Sequence, residues 1–174
     1  MPEKDKVYII GFMGSGKSTA GKRLASALGW SFIDLDRKIE EFAGKTIPQI
    51  FSQDGEDHFR KIEADVLRSA GKLMKTVIST GGGTPCHGEN MDFMVKTGVT
   101  VYLKMSPAQL AKRLLGSSGE RPLLKNVPDD RLPDFIEEKL AFREKWYSKA
   151  NLTVDGLNLN IELLRSIINS GSGN

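Results

Sequence analysis

The sequence has little of what disulfide frameworks, zinc sites and membrane spans require. Its 174 residues include one cysteine and two histidines, so neither an internal disulfide nor a zinc site of the usual four-ligand kind is expected. No apolar run approaches the roughly 18 residues of a membrane helix. The net charge is +3, from 25 Lys and Arg against 22 Asp and Glu. That balance does not indicate a nucleic-acid partner, and we expect neither nucleic acid nor membrane as a partner.

The rest of the composition is typical of one compact domain. With 39% hydrophobic and 27% charged residues, we predict a single domain over residues 1–170 and a disordered tail over 171–174. The lone Cys86 fits a reducing compartment, and the charged start MPEKDK does not read as a secretory signal. We therefore expect a cytoplasmic protein, and a monomer.

Short β-rich runs alternate with helical patterns along the chain. Strands are predicted at 7–10, 30–35, 76–80, 100–105 and 151–155. Helices are predicted from residue 17 to a glycine cap at 29, and over 57–73, 107–115, 130–149 and 159–169. This alternation predicts a parallel sheet covered by helices on both faces, with ligands at the carboxyl ends of the strands.

The segment GFMGSGKST, residues 11–19, directly follows the first predicted strand. Gly11, Gly16, Lys17 and Ser18 stand where the P-loop pattern requires them. Such a loop wraps a phosphate with backbone N–H groups at the start of a helix, while the Lys reaches the β- and γ-phosphates and the Ser ligates Mg²⁺. A GTPase would add an Asn-Lys-x-Asp and an Asp-x-x-Gly motif, and neither occurs in this chain.

The segment FIDLD places Asp34 and Asp36 at the end of the second predicted strand. Two residues apart on a strand, their side chains would leave on the same face. One carboxylate would support Mg²⁺ and the other would orient an acceptor hydroxyl. The alternative is that Asp36 only caps the helix that follows; the neighbouring P-loop favours the functional interpretation.

Two arginines lie in patterns that have a structural and a functional interpretation. Arg60 and Glu63 are three residues apart on the predicted 57–73 helix. They would form either a surface ion pair or a pair in which Glu63 holds the guanidinium toward an anionic substrate. Arg143 falls within an apolar stripe of the 130–149 helix, where a buried guanidinium would need an anionic partner. Lys139 also falls near that stripe, so periodicity alone does not single out Arg143. The stripe consists of Phe135, Ile136, Leu140, Trp146 and Tyr147.

The segment 116–130, rich in Gly, Ser and Pro, is typical of a functional lid or of a disordered loop, and we predict a mobile lid. Arg121, before Pro122, would close from it onto the transferred phosphoryl group. Arg113, on the helix that leads into the lid, would lie against adenine or would simply be an exposed helix residue.

These blocks together resemble the shikimate kinases. GFMGSGKST, FIDLD, FRKIE, STGGGTP, RPLL and AFREKWY occur in the order and approximate spacing of that family, from residue 7 to about 155. The resemblance implies an α/β three-layer P-loop kinase fold with a five-stranded parallel sheet in the order 2-3-1-4-5, and substrate-binding helices over about 36–73. It also implies ATP-dependent phosphorylation of the shikimate 3-hydroxyl. One departure is Lys145, where the family often has Pro between the arginine and tyrosine.

The resemblance also implies roles for individual residues. The ATP phosphates would be bound by Gly14, Ser15, Gly16, Lys17, Ser18 and Thr19, with Arg113 and Arg121 as further ATP contacts. Catalysis would fall to Lys17, Asp36 and Arg121, and Mg²⁺ to Ser18 and, through water, Asp34. Shikimate would be held by Asp36, Arg60, Gly81, Gly82, Gly83 and Arg143. The three glycines would let the substrate lie against the backbone.

Two alternatives to this function stay open. Converging arginines suit a carboxylate or a phosphate equally well, so a gluconate or nucleoside monophosphate kinase of the same fold is the nearest one. The other is a P-loop binding protein without phosphotransfer.

Overall fold

A computed structural model describes residues 4–116, 124 and 126–171 of the chain. Five parallel strands form one sheet in the order β2-β3-β1-β4-β5. They are β1 (Lys6–Ile10), β2 (Ser31–Asp34), β3 (Thr76–Ser79), β4 (Val99–Lys104) and β5 (Leu152–Asp155). The predicted order 2-3-1-4-5 is confirmed, and it places the end of β1 between the ends of β3 and β4.

Eight α-helices connect and cover the described strands. They are α1 (Lys17–Leu28), α2 (Leu35–Ala43), α3 (Ile47–Asp54), α4 (Glu56–Ala70), α5 (Asn90–Thr97), α6 (Pro107–Leu115), α7 (Leu132–Tyr147) and α8 (Ile161–Gly171). Short 3₁₀ turns occur at Thr84–Cys86 and Asp129–Arg131. Within the described ranges, no helix has the length and apolar character needed to cross a membrane.

The central strand β1 supplies both faces of the core. Tyr8 and Ile10 belong to one buried cluster, on the side of α2 to α5, while Val7 and Ile9 belong to another with α1 and α8. All four are inaccessible to solvent. Alternate residues of a strand point to opposite faces, so the uninterrupted apolar run of β1 gives a sheet buried on both sides between two helical layers. A third cluster joins the loop after β1 to α6 and α7.

The second strand is shorter than predicted, and this changes the placement of the aspartate pair. β2 ends at Asp34, and α2 begins at Leu35. Asp34 is the N-cap of α2, where its side chain accepts a hydrogen bond from the backbone N–H of Arg37 at 3.3 Å. Asp36 lies in the first turn of the helix. The two carboxylates therefore do not share a strand face, and the alternative that Asp36 is the helix cap is also wrong.

The structure bears on the predicted helices, the predicted tail and the predicted lid. The hydrophobic pattern predicted neither α3 nor α5 as a separate helix, although α3 falls within the range 36–73 that the resemblance assigned to substrate-binding helices. Helix α8 continues through Gly171, the first residue of the predicted tail. In the predicted lid, Leu124 and Val127 pack against the α6–α7 cluster. Residues 117–123, which include Arg121, lie outside the described part of the chain. The lid and its arginine stay predictions.

Candidate active site

The P-loop occupies the turn between β1 and α1, at the carboxyl end of the central strand. Gly14 and Gly16 adopt left-handed backbone angles, with φ of 81° and 88°, which a residue with a Cβ rarely adopts. The Ser15 N–H bonds back to the Phe12 carbonyl at 3.1 Å, which tightens the loop. Lys17 is buried, and its Nζ donates to the same carbonyl at 2.9 Å. The turn thus presents the start of α1 to the pocket beside it, and the first N–H groups of any helix have no acceptor within that helix.

Ser18 and Asp34 form a pair of oxygen ligands next to this loop. The Ser18 Oγ donates to the Asp34 Oδ2 at 2.9 Å and lies 3.3 Å from the Ser79 Oγ on β3. Among the residues described, no cluster of three or more His, Cys, Asp or Glu side chains is arranged to hold a metal ion. A hydroxyl and a carboxylate fit Mg²⁺, because this ion binds oxygen and takes most of its remaining ligands from water and phosphate.

Two pockets meet at this edge of the sheet. The nucleotide-side pocket has a volume of about 620 Å³ and the acceptor-side pocket about 450 Å³. Both are lined by Met13, Asp36, Glu40, Gly81 and Gly82. The first pocket also includes the predicted phosphate ligands Gly14, Gly16, Lys17, Ser18 and Thr19. A phosphoryl donor in one pocket would therefore face an acceptor in the other.

Asp36 lies at the boundary of the two pockets and carries a perturbed pKa. Burial raises the pKa of its carboxyl from 3.8 to about 6. The positive charge of Lys17 opposes this increase in pKa, while the negative charges of Asp34, Glu63 and Glu40 add to it. A carboxylate with a pKa near 6 is ionised at neutral pH, yet is more basic than an ordinary aspartate. Those are the properties of a group that accepts a proton from an acceptor hydroxyl.

The Arg60–Glu63 pair lies inside the molecule and not on its surface. Arg60 Nη1 donates to Glu63 Oε1 at 2.9 Å, and Glu63 is 1% exposed. The exposed Glu56 lies on the other side of the guanidinium, 3.4 Å from Nη2. The buried Nε of Arg60 has no hydrogen-bond partner among the described residues. The pair thus holds a guanidinium at the acceptor pocket with donor capacity to spare.

Arg143 and Lys139, which periodicity could not distinguish, differ in burial. Arg143 is 6% exposed, its guanidinium carbon lies 5.0 Å from the centre of the Phe12 ring, and its Nη1 has no described partner. Lys139 is exposed, with its Nζ 5.6 Å from the centre of the Phe135 ring. A buried donor of a charged group is costly when unpaired, and an anion bound beside Arg143 would remove that cost.

The three glycines after β3 leave room for the side chains of the site itself. A Cβ on Gly81 would lie 3.0 Å from the Asp36 Oδ1, and one on Gly82 would lie 3.2 Å from the Arg143 Nη1. On Gly83 it would lie 2.8 Å from the Arg60 Nη2. None of the three glycines has a left-handed φ. The segment is therefore glycine-rich because the carboxylate and both guanidinium groups approach its backbone, which the sequence argument about the substrate did not anticipate.

The structure places Arg113 at the nucleotide side. Although Arg113 is exposed, a Cβ on Gly16 would lie 3.2 Å from its Nη2, and it lines the nucleotide-side pocket. Ser15 is buried, and its Oγ has no described hydrogen-bond partner.

Sequence reasoning missed two groups of residues at the acceptor pocket. The first is a wall at helix α3, which the hydrophobic pattern did not predict as a separate helix; it is formed by Thr46, Ile47, Pro48 and Phe51. Its signal was the capping box Thr46-Ile-Pro-Gln49, in which both reciprocal hydrogen bonds form. The second is the pair of hydroxyls that hold the glycine segment. Tyr147 donates to the Gly82 carbonyl, and Thr84 donates to the Glu63 Oε2 at 2.8 Å.

Comparison with known proteins identifies the family. The family model for shikimate kinase matches residues 13–170. The chain belongs to the shikimate kinase family. It is 47% identical over 150 residues to the shikimate kinase of Parabacteroides distasonis, covering 86% of this chain and 87% of that one. It is 40% identical over 169 residues to the shikimate kinase of Aquifex aeolicus, covering 97% of each.

Solved structures of the family agree with this fold. A shikimate kinase from Bacteroides thetaiotaomicron superimposes with a TM-score of 0.86 at 38% identity, covering 95% of this chain and 96% of that one. A shikimate kinase from Acinetobacter baumannii in complex with shikimate gives 0.88 at 30% identity, covering 98% and 96%. A gluconokinase from Sinorhizobium meliloti gives only 0.54 at 18% identity, covering 99% and 93%, and shares the fold alone. The resemblance drawn from the sequence blocks is confirmed.

Proposed function

We propose that this chain is a shikimate kinase, which transfers the γ-phosphoryl group of ATP to the 3-hydroxyl of shikimate to give shikimate 3-phosphate and ADP. The observation that carries the proposal is the acceptor pocket next to the P-loop. Arg60 lines that pocket with an unpaired buried Nε, and Asp36 lies at its boundary with the nucleotide. Arg143, whose buried Nη1 is also unpaired among the described residues, lies next to Gly82, which lines the same pocket. A small carboxylate that also bears hydroxyls matches this arrangement.

The geometry of the P-loop supports binding of the ATP phosphates. The P-loop backbone over residues 14–19 would cradle the ATP phosphates, because a glycine-rich turn at a helix N-terminus points backbone N–H groups and the positive end of the helix dipole at an anion. Lys17 would leave the Phe12 carbonyl for the β- and γ-phosphates, since an ammonium is bound more strongly by an anion than by a neutral carbonyl. There it would stabilise the charge that develops during transfer.

The oxygen ligands of Ser18 and Asp34 fit a bound Mg²⁺ ion. Ser18 would hold the ion directly and Asp34 would hold it through water, with the existing Ser18–Asp34 hydrogen bond keeping the two oxygens together. When bound, Mg²⁺ supplies positive charge that neutralises the phosphate oxygens. Asp34 also caps α2, so the same carboxylate fixes the helix that carries Asp36.

The remaining predicted residues would bind the acceptor substrate and close the site. Asp36 would orient the acceptor hydroxyl and take its proton, while Arg60 and Arg143 would bind the carboxylate of shikimate. Gly81, Gly82 and Gly83 would bring backbone groups against the substrate, beside the Asp36, Arg143 and Arg60 side chains that approach them. Arg113 would lie against adenine, and Arg121 would close onto ATP from the lid.

The test is an ADP-release assay coupled to pyruvate kinase and lactate dehydrogenase, with shikimate, gluconate and CMP as separate acceptors. We expect turnover with shikimate alone. Turnover only with gluconate or CMP would replace shikimate by another small-metabolite acceptor. ATP binding without ADP release in all three arms would leave a P-loop binding protein.

We also propose that the enzyme acts as a cytoplasmic monomer. Its single cysteine and balanced charge support this. Light scattering after size exclusion should give the mass of one chain, 19.2 kDa. Twice that mass would contradict it.

A further inference from the structure

A line of buried polar groups runs from α5 to the acceptor pocket. Arg68 Nη1 donates to the Asn90 Oδ1 at 2.6 Å, and the Asn90 Nδ2 donates to the Thr84 carbonyl at 2.9 Å. The Thr84 Oγ1 donates to the Glu63 Oε2 at 2.8 Å, and Glu63 Oε1 accepts from Arg60. The function proposed above uses only the last member of this line, Arg60.

The middle of the line is almost completely removed from water. Thr84 is 0% exposed, and Asn90 and Glu63 are each 1% exposed. An ionised carboxylate at such depth is stable only when its oxygens are paired. Each oxygen of Glu63 has one partner that comes from a different part of the fold, Arg60 on α4 and Thr84 in the 3₁₀ turn after the glycine segment.

Asn90 fixes the position of the Thr84 hydroxyl. Its two amide atoms are oriented unambiguously, because one faces a guanidinium donor and the other a carbonyl acceptor. Through the Thr84 carbonyl it holds the 3₁₀ turn Thr84–Cys86 against the start of α5. The Thr84 hydroxyl is thereby aimed at Glu63 by a rigid element.

We propose that Thr84 is a positioning residue of the acceptor site, whose hydroxyl holds the Glu63 carboxylate in the orientation that presents the Arg60 guanidinium to the anionic group of the acceptor. This inference rests on the proposed function, since it assigns Thr84 to shikimate binding. Thr84 itself acts through Glu63 and Arg60. Without the hydroxyl, one Glu63 oxygen would be buried and unpaired, and the carboxylate would turn or take up a proton.

Glu63 has the electrostatic surroundings that make this hydroxyl matter. Burial raises its pKa, while the charge and hydrogen bond of Arg60 and the hydrogen bond of Thr84 lower it. The other titratable groups that act on Glu63 or feel its charge are Glu56 on α4, Asp36 on α2 and Cys86 in the 3₁₀ turn. Loss of the Thr84 donor therefore moves the pKa of Glu63 further upward.

The kinetic test compares Thr84→Val, which keeps the shape but lacks the hydroxyl, with Thr84→Ser, which restores it. A lost hydrogen bond to a charged group should raise the KM for shikimate about tenfold in the valine variant, equivalent to about 1.4 kcal/mol. The KM for ATP should stay unchanged, and the serine variant should return the KM for shikimate to near the wild-type value. The matched control is Thr153→Val, an exposed position on β5, expected to leave both KM values unchanged.

The pH dependence adds a readout that general damage would not produce. The ratio of the shikimate KM values, valine variant to wild type, should decrease as the pH rises and Glu63 becomes ionised in both proteins. Asp36 also titrates in both proteins, and its pKa responds to the charge of Glu63, so the ratio reports the two carboxyl groups together. A ratio independent of pH, an unchanged KM for shikimate, or an equal rise in both KM values would each overturn the proposal.

A direct measurement separates this inference from the proposed function. Carbon-13 NMR of the glutamate carboxyl groups, without ligands, should give a higher pKa for Glu63 in the valine variant than in wild type or in the serine variant. Because this measurement uses no ligand, it tests Thr84 even in an enzyme that does not phosphorylate shikimate. An unchanged Glu63 pKa would refute the role of Thr84. Should the valine variant fail to fold, Thr84→Ala removes the same donor without adding bulk. The KM for shikimate and the pKa of Glu63 then test the proposal in the alanine variant in the same way.

Discussion

Replacing Asp36 by asparagine should stabilise the protein while it removes catalysis. Burial raises the pKa of this carboxyl from 3.8 to about 6, so its ionisation costs free energy in the folded state. Asparagine keeps the shape of the side chain and carries no charge. A side chain selected for folding alone would not have this property, whereas one selected for chemistry often does.

The sign and size of the effect follow from proton linkage. Between pH 3.8 and about 6 the folded state holds the Asp36 proton and the unfolded state does not, so wild-type stability decreases as the pH rises. Each unit of pKa difference corresponds to about 1.4 kcal/mol. Because Asp36 keeps some contact with solvent, we expect about 2–3 kcal/mol in favour of the asparagine variant above pH 7. That is roughly 5–10 °C in Tm for a domain of this size.

The assay is urea unfolding of both proteins from pH 4 to pH 8, in EDTA and without nucleotide, so that no metal occupies the site. The difference in unfolding free energy, variant minus wild type, should increase through pH 4 to 6 and then become constant. In the coupled assay the variant should lose shikimate-dependent ADP formation by about 100-fold or more, as expected for a lost general base.

Two results would refute this reasoning. A variant that is less stable than wild type at pH 7.5 would mean that the Asp36 charge is stabilised in the folded state and not penalised. Wild-type rates in the variant would mean that the carboxylate is not used in the reaction. The control Asp65→Asn, at an exposed position on α4, should change stability by no more than about 0.5 kcal/mol.

Three further substitutions test other parts of the site. Lys17→Ala should lower kcat by about 100-fold or more, because the ammonium stabilises charge in the transition state, and a near-normal kcat would contradict this role. Arg60→Ala should raise the KM for shikimate at least tenfold with little change for ATP; equal losses would remove the carboxylate role. Gly82→Ala should raise the KM for shikimate, since its Cβ would lie 3.2 Å from the Arg143 Nη1. Its control, Gly171→Ala, enters open space and should change nothing.

The phosphate site was readable from the sequence because it is contiguous. Gly14 and Gly16 meet a local backbone requirement, and Lys17 and Ser18 follow in the same turn, so spacing along the chain is also spacing in the loop. Alternating strands and helices likewise predicted a parallel sheet. The order of its strands came from the resemblance to a family, because strand pairing depends on contacts far apart in sequence.

The aspartate pair shows where local rules competed. Strand alternation and helix capping both applied to FIDLD, and the cap lies two residues earlier than the alternative had it, because Asp34 both ends β2 and caps α2. Asp34 and Asp36 nevertheless lie close enough for the charge of one to raise the pKa of the other. The proximity was predicted correctly, but the reason given for it was wrong.

Only tertiary structure decided which basic side chain of α7 is buried beside the glycine segment and why three glycines follow β3. Arg143 and Lys139 are one helical turn apart on the same stripe, so their sequence pattern is equivalent. The Phe12 ring and the glycine segment bury one of them and leave the other in solvent. The glycines, in turn, admit Asp36, Arg60 and Arg143 from three separate helices. The sequence by itself determined a nucleotide loop on a parallel sheet; the shape and charge of the acceptor pocket came from contacts that only folding brings together.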